Sequence, residues 1–166
     1  MTPAAAGVKR LWAVLGVLVV LHFGLRPWLG SPRVAPDFLL LALLVYAIRA
    51  RPGRAAVAGY LVGLLSDSLN PVAFGSAMLA YSAVGFLAAW GKAVFFAENR
   101  LVAATFFFGG VFMRDVLVLL WGGHAGGTSI AWQLGLWTPL QGLTTALVGV
   151  LVQMILLGWL RVRATG

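Results

Sequence analysis

No cysteine occurs in the 166 residues, which removes disulfides and thiolate metal sites and leaves the redox compartment unspecified. Acidic residues are nearly as scarce, with 4 Asp and Glu against 12 Lys and Arg and a net charge of +8. Charged residues of both signs make up only 10% of the chain while hydrophobic ones make up 61%, against about 25% charge in a soluble domain. The composition is that of an integral membrane protein. No polar stretch is long enough to form a second, water-soluble unit, so residues 1–166 read as a single transmembrane domain. In a soluble protein a charge of +8 would raise the question of nucleic acid; here the basic residues fall in short gaps between apolar runs, where a lipid bilayer explains them.

Catalytic and cofactor signatures are missing too. His22 and His124 are the only histidines, and neither has a carboxylate at ligand spacing, so no metal is expected. Ser66, Ser68, Ser76 and Ser82 lack a nucleophile elbow, and no glycine-rich loop leads to a Lys-Ser or Lys-Thr pair. The expectation is a non-enzymatic protein without a cofactor. Strict alternation of apolar and polar residues is also absent, which disfavours a closed barrel and leaves helices as the spanning structure.

What is present is a series of apolar runs. Splitting the chain at its charges and prolines yields six segments, 11–29, 36–48, 55–69, 72–91, 101–121 and 138–160. Pro36 and Pro139 suit a first helical turn, Asp37 complements the positive end of its helix, and Thr138 suits a cap. Lys9 and Arg10 before the first run resemble the start of a secretory signal, but no small-residue cleavage site follows, and an uncleaved anchor is expected. The second and third segments are short for a bilayer. If they formed a dipping hairpin, Arg49, Arg51 and Arg54 would lie at mid-membrane at a cost of roughly 2.5–3.5 kcal/mol each, so both are read as crossing.

Six crossings with an inner N-terminus place Lys9, Arg10, Arg49, Arg51, Arg54, Lys92, Arg100, Arg161 and Arg163 in the cytoplasm and only Arg26 and Arg33 outside. That bias puts both termini in the cytoplasm. Trp12, Trp90 and Trp159 then fall at inner ends, and Trp28, Trp121 and Trp137 at outer ends. The glycine-rich stretch from Gly122 to Ser129 reads as an outer loop, with Ile130 to Leu136 a short amphipathic piece on the membrane surface.

Two charges stand deep in apolar runs. Asp67 lies 13 residues beyond Arg54 and Arg114 lies 14 beyond Arg100, each on the order of 20 Å from the inner boundary. An Asp67–Arg114 contact is therefore expected, with Arg26 and Asp115 as competing partners. The alternative for Asp67 is a wet cap of the turn Ser66 to Pro71, and for Arg114 snorkelling to the outer headgroups. Being adjacent, Arg114 and Asp115 point about 100° apart and are poorly placed to satisfy each other. Small residues are dense on several faces, and Gly59 and Gly63, with Gly142, Ala146 and Gly149, are candidates for a partner helix or for packing within the bundle.

The ordered run Pro36-Asp37, Gly59-x-x-x-Gly63-x-x-x-Asp67, then Gly75 opening the fourth helix, resembles the MreD family of rod shape-determining membrane proteins. The resemblance covers about 55 residues closely and the topology throughout. It implies a fold similar to the S components of energy-coupling-factor vitamin transporters and a location in the bacterial inner membrane. It also implies a role in the elongation complex, or elongasome, that makes side-wall peptidoglycan and sets cell shape. The implied partner is an MreC-like bitopic protein, with MreB filaments, a RodA-type glycosyltransferase and a class B penicillin-binding transpeptidase in the wider complex. The alternative is a small-molecule-binding S component. Against it, the first helix lacks the Ala-x-x-x-Ala face expected for a coupling subunit: Ala13 is followed at that spacing by Val17, and Gly16 by Val20.

Overall fold

A ten-residue helix, Phe38–Ala47 (α2), lies at the centre of the molecule, with every residue but Tyr46 buried. Its sequence, FLLLALLVYA, is apolar on all sides, so no face is suited to water and the helix packs all round. It touches each of the other long helices: α1 (Pro3–Gly24), α3 (Pro52–Ser68), α4 (Ser76–Phe95), α5 (Arg100–Gly122) and α7 (Thr138–Arg161). The computed structural model describes residues 3–29, 33–68, 74–95, 100–122 and 127–161. Among these every regular element is helical.

The helices run up and down. Ala55, Gly59 and Gly63 of α3 lie against Gly85, Tyr81 and Ala77–Met78 of α4 in turn, an antiparallel register. Asp115 meets Thr138, and Phe108 lies against Gly142, so α5 and α7 are antiparallel as well. The Trp12 ring lies 6.3 Å from that of Tyr46, centroid to centroid, placing the middle of α1 beside the end of α2. At the opposite end Arg33 lies 5.4 Å over the Trp137 ring.

Observed boundaries follow the apolar runs with informative differences. α1 stops at Gly24 and is followed by a single 3-10 turn, Arg26–Trp28. α2 starts at Phe38, so Pro36 precedes the helix instead of opening it, and Asp37 is its N-cap. The largest correction concerns residues 130–136, expected as a separate surface piece. A short helix, Gly127–Trp132 (α6), passes through a wide π turn, Gln133–Trp137, directly into α7. Thr138 therefore caps nothing. Pro139 has no N–H and its ring crowds the carbonyl four residues earlier; that carbonyl belongs to Gly135, inside the wide turn, where the backbone has room for it.

Two helical stretches are long and apolar enough to cross a bilayer, Leu101–Gly122 and Ile130–Ile155, and α2 is one of several shorter apolar helices. At 1.5 Å per residue α2 covers only about 15 Å, half a hydrocarbon core. The irregular segment before it is sheltered by α7. Thr144 donates to the Val34 carbonyl (2.7 Å), Gln141 to the Ala35 carbonyl (3.2 Å), and the Asp37 N–H donates to Thr145 (3.0 Å). Non-helical backbone away from water survives only where protein groups replace water. Three polar residues at i, i+3 and i+4 of an otherwise apolar helix supply them here.

Candidate functional site

Asp37 is the hub of a buried polar cluster at the end of the bundle where α2 begins. Its exposure is 1%. Oδ1 accepts from the Leu40 N–H at 3.0 Å and caps α2. Oδ2 accepts from the Tyr81 hydroxyl of α4 at 2.8 Å and lies 3.2 Å from Nη2 of Arg114 on α5. His22 of α1 brings Nδ1 to 3.7 Å from Oδ1, too far for a hydrogen bond. One carboxylate thus gathers four helices, and its backbone N–H reaches a fifth through Thr145.

Arg114 extends the cluster. Its Nη2 donates to Oε1 of Gln141 at 3.1 Å, and the guanidinium lies 5.9 Å over the Tyr81 ring. Nε stands 3.1 Å from Oδ1 of Asp115, yet makes no hydrogen bond. The two charges attract through space while the N–H points elsewhere, which is the geometry expected of neighbours on one helix. Asp115 finds its directed partner in Thr138, whose hydroxyl donates to Oδ2 at 2.6 Å. Arg26 closes the cluster from the α1 side, with Nη1 3.2 Å from Nε2 of His22.

Two guanidiniums and two carboxylates balance. That balance makes burial tolerable, because an unpaired ion in such surroundings costs several kcal/mol and a paired, hydrogen-bonded one far less. The arrangement is a latch: the Asp37 carboxylate of α2 meets the Arg114 guanidinium of α5, and Asp115 beside it is held by the Thr138 hydroxyl of α7. Among the described residues no group of three His, Asp or Glu side chains is placed to hold a metal ion.

A second carboxylate performs a separate task. Asp67, at the end of α3, accepts from the N–H groups of Gly75 (2.9 Å), Ala77 (3.3 Å) and Met78 (3.0 Å). It caps the first turn of α4 from outside that helix, satisfying donors that a helix start leaves unpaired. Gly75 has φ +99, a left-handed conformation that a side chain would strain.

A family model described as rod shape-determining protein MreD matches residues 8–161, nearly the whole chain. The chain belongs to the MreD family. No curated protein and no solved structure gave a match.

The residues that carried the resemblance in the sequence occupy defined places in this geometry. Asp37 is the hub, with Pro36 just before it. Ala55, Gly59, Gly63 and Asp67 are the buried residues of α3, one every fourth position. A Cβ on Gly59 would collide with the Tyr81 carbonyl, and one on Gly63 with the Met78 backbone. The motif is therefore an internal seam that lets α3 and α4 touch backbone to backbone, reinforced by a hydrogen bond from Ser82 to the Ala56 carbonyl (3.1 Å).

Several expectations for this MreD-family chain are corrected. Asp67 and Arg114 do not pair: Asp67 is spent on the start of α4, and Arg114 turns to Asp37 and Asp115. Nor is Asp67 a wet turn residue, being 3% exposed. The competitor Asp115 does approach Arg114, while Arg26 binds His22. Of the two readings of the small-residue faces, packing within the bundle holds: Gly59 and Gly63 are filled by α4. A Cβ on Gly142 would come within 2.7 Å of the Phe108 ring and one on Gly149 within 2.6 Å of Phe107, and Ala146 is buried. The turn at residues 69–73 and His124 lie outside the described residues.

Tyr81, His22 and the Gln141, Thr144, Thr145 face were not singled out as a site. Their signal was available in part, since polar side chains at helical spacing inside an apolar run imply a shared polar neighbour. Tyr81 carried none, as an aromatic residue in an apolar helix reads as core.

Proposed function

We propose that this MreD-family chain is a non-enzymatic membrane scaffold of the elongation complex that binds an MreC-like bitopic protein by transmembrane helix packing. Through that partner it takes its place beside MreB filaments, the RodA-type glycosyltransferase and the class B penicillin-binding transpeptidase. In this reading residues 1–166 form one six-crossing unit in the bacterial inner membrane with both termini cytoplasmic. The same reading takes its helices to follow the S-component arrangement. The family match favours this over a vitamin-binding S component.

The observation that carries the proposal is a groove between α4 and α5. Its volume is about 220 Å³, and Leu87 and Ala88 of α4 face Phe106, Gly109 and Met113 of α5 across a floor made by Leu44. The faces of Gly59, Gly63, Gly142 and Gly149 are consumed by the bundle. Gly109 lines the groove, and a Cβ there would meet nothing within 4 Å. A glycine that the chain's own packing does not require, opening onto an apolar groove, suits the close approach of another helix.

Gly109→Leu tests it, because the added side chain fits the chain's own fold and fills the groove. Wild-type protein is expected to co-purify an MreC-like protein from membranes. The variant should retain its thermal midpoint in detergent and lose the partner. Retention of the partner by a folded Gly109→Leu protein would remove the groove from the proposal.

A further inference from the structure

The exposed charge of the described residues is of one sign. Asp37, Asp67 and Asp115, the acidic residues described, are 1%, 3% and 5% exposed and are occupied inside the bundle. Lys9, Arg33, Arg49, Arg51 and Arg54 are exposed. Three of these arginines crowd into six residues where α2 gives way to α3, Arg49 and Arg51 in the connection and Arg54 in the first turn of α3. The turn itself is held by backbone bonds, Arg49 N–H to the Tyr46 carbonyl at 3.0 Å and Ala55 N–H to the Arg51 carbonyl at 3.0 Å, and by burial of Ala50. The guanidiniums are not needed to shape it. Among the described residues no carboxylate stands at this end of the bundle to neutralise them.

We propose that the Arg49–Arg54 turn is a binding surface for anionic phospholipid headgroups. Charge complementarity commits it to that occupant: three guanidiniums on a six-residue turn, at the end of apolar helices, meet the phosphodiester layer of a membrane at its own depth. Each guanidinium presents a planar fork of N–H donors matched to two phosphate oxygens. The aromatic rings of Trp12 and Trp90 are exposed, 61% and 72%, on the N-terminal part of α1 and the C-terminal part of α4. Such rings favour the headgroup level, which sets the turn in the plane where the phosphates lie. The consequence is a lipid preference seated at one end of the molecule, independent of the α4–α5 groove.

The test uses the purified full chain in lipid nanodiscs, with phosphatidylglycerol competing against phosphatidylcholine and bound lipid read by native mass spectrometry. Each basic residue near an anionic surface contributes about a fivefold preference at low salt, so Arg49→Gln, Arg51→Gln and Arg54→Gln together should lower the phosphatidylglycerol preference on the order of 100-fold. Added salt should shrink the effect. Arg33→Gln, at the opposite end and stacked on Trp137, should leave the preference unchanged. The triple Arg→Lys variant keeps the charge and loses the two-pronged donor, so it should retain part of the preference and less than the parent. Should the triple Gln variant fail to fold, the three single variants serve, each expected to lose about fivefold. An unchanged preference in folded triple or single variants would overturn the proposal. So would displacement of the lipid by soluble glycerol 3-phosphate, which would mark a free-phosphate site.

Discussion

The Arg114 guanidinium lies 3.2 Å from the Asp37 carboxylate, tying the middle of α5 to the residue that caps α2. Asp37→Ala removes the anion, the cap and the acceptor for Tyr81 together, and leaves Arg114 buried beside a weaker partner. The expected loss is about 3–5 kcal/mol, read as a lowered unfolding midpoint in detergent. Asp37→Asn preserves the cap and should cost less. The double variant with Arg114→Gln should recover part of the loss, because the buried guanidinium facing position 37 is then gone, while Asp115 keeps the Thr138 hydroxyl. A folded Asp37→Ala protein as stable as its parent would contradict the latch.

Pairing between Asp67 and Arg114 is absent, so their substitutions should combine simply. Asp67→Asn and Arg114→Gln are expected to add within about 0.5 kcal/mol in a double-mutant cycle, whereas Asp37→Asn and Arg114→Gln should not. A large coupling energy for the first pair would show that the charges meet after all.

Capping by Asp67 makes a local prediction. Asp67→Ala should cost about 0.5–2 kcal/mol, and its signature should be faster amide exchange at Gly75, Ala77 and Met78, the donors it now accepts from. Exchange at α7 should be unaffected. Unchanged protection at the start of α4 would remove Asp67 from that task.

The α3–α4 seam leaves no room at two glycines. Gly59→Ala and Gly63→Ala should each destabilise at the upper end of about 1–3 kcal/mol, since the obstacle is backbone and cannot rotate away. Gly16→Ala, where a Cβ would meet nothing within 4 Å, should not destabilise and is favoured by up to about 1 kcal/mol, the helix-propensity difference. Equal tolerance at all three positions would argue against backbone contact between α3 and α4.

Gln141 serves two partners, accepting from Arg114 and donating to the Ala35 carbonyl. Gln141→Leu leaves both without it, at an expected cost of about 1–3 kcal/mol. The loss should be accompanied by increased protease sensitivity in the segment before α2. A Leu variant with parental stability would mean that water reaches this segment.

Much of the architecture was legible because lipid imposes a simple test on each run. The long segment 101–121 emerged nearly intact as Arg100–Gly122, and 55–69 as Pro52–Ser68. Residues 130–136 misled because glycine and a proline suggest a break, whereas a single wide turn absorbs Pro139 and the helix runs on. Within the candidate site, depth along the helix marks Asp67 and Arg114 as buried charges but not their partners: Asp67 turns to the start of α4, and Arg114 to Asp37 and Asp115. Asp67 contacts Met78, one helical turn from the Tyr81 that reaches Asp37. The two sites are neighbours along α4, one turn apart.

By itself the sequence determined the solvent, the helical class and the height of each charge along its helix, because composition reports burial in hydrocarbon and depth is counted at a fixed rise per residue. Only the tertiary structure decided who meets whom. Height leaves the direction around each helix and the order of neighbours open. Those are settled where backbones can approach, at Gly59 and Gly63, and that contact carries Tyr81 to Asp37 while Asp67 closes over the start of α4.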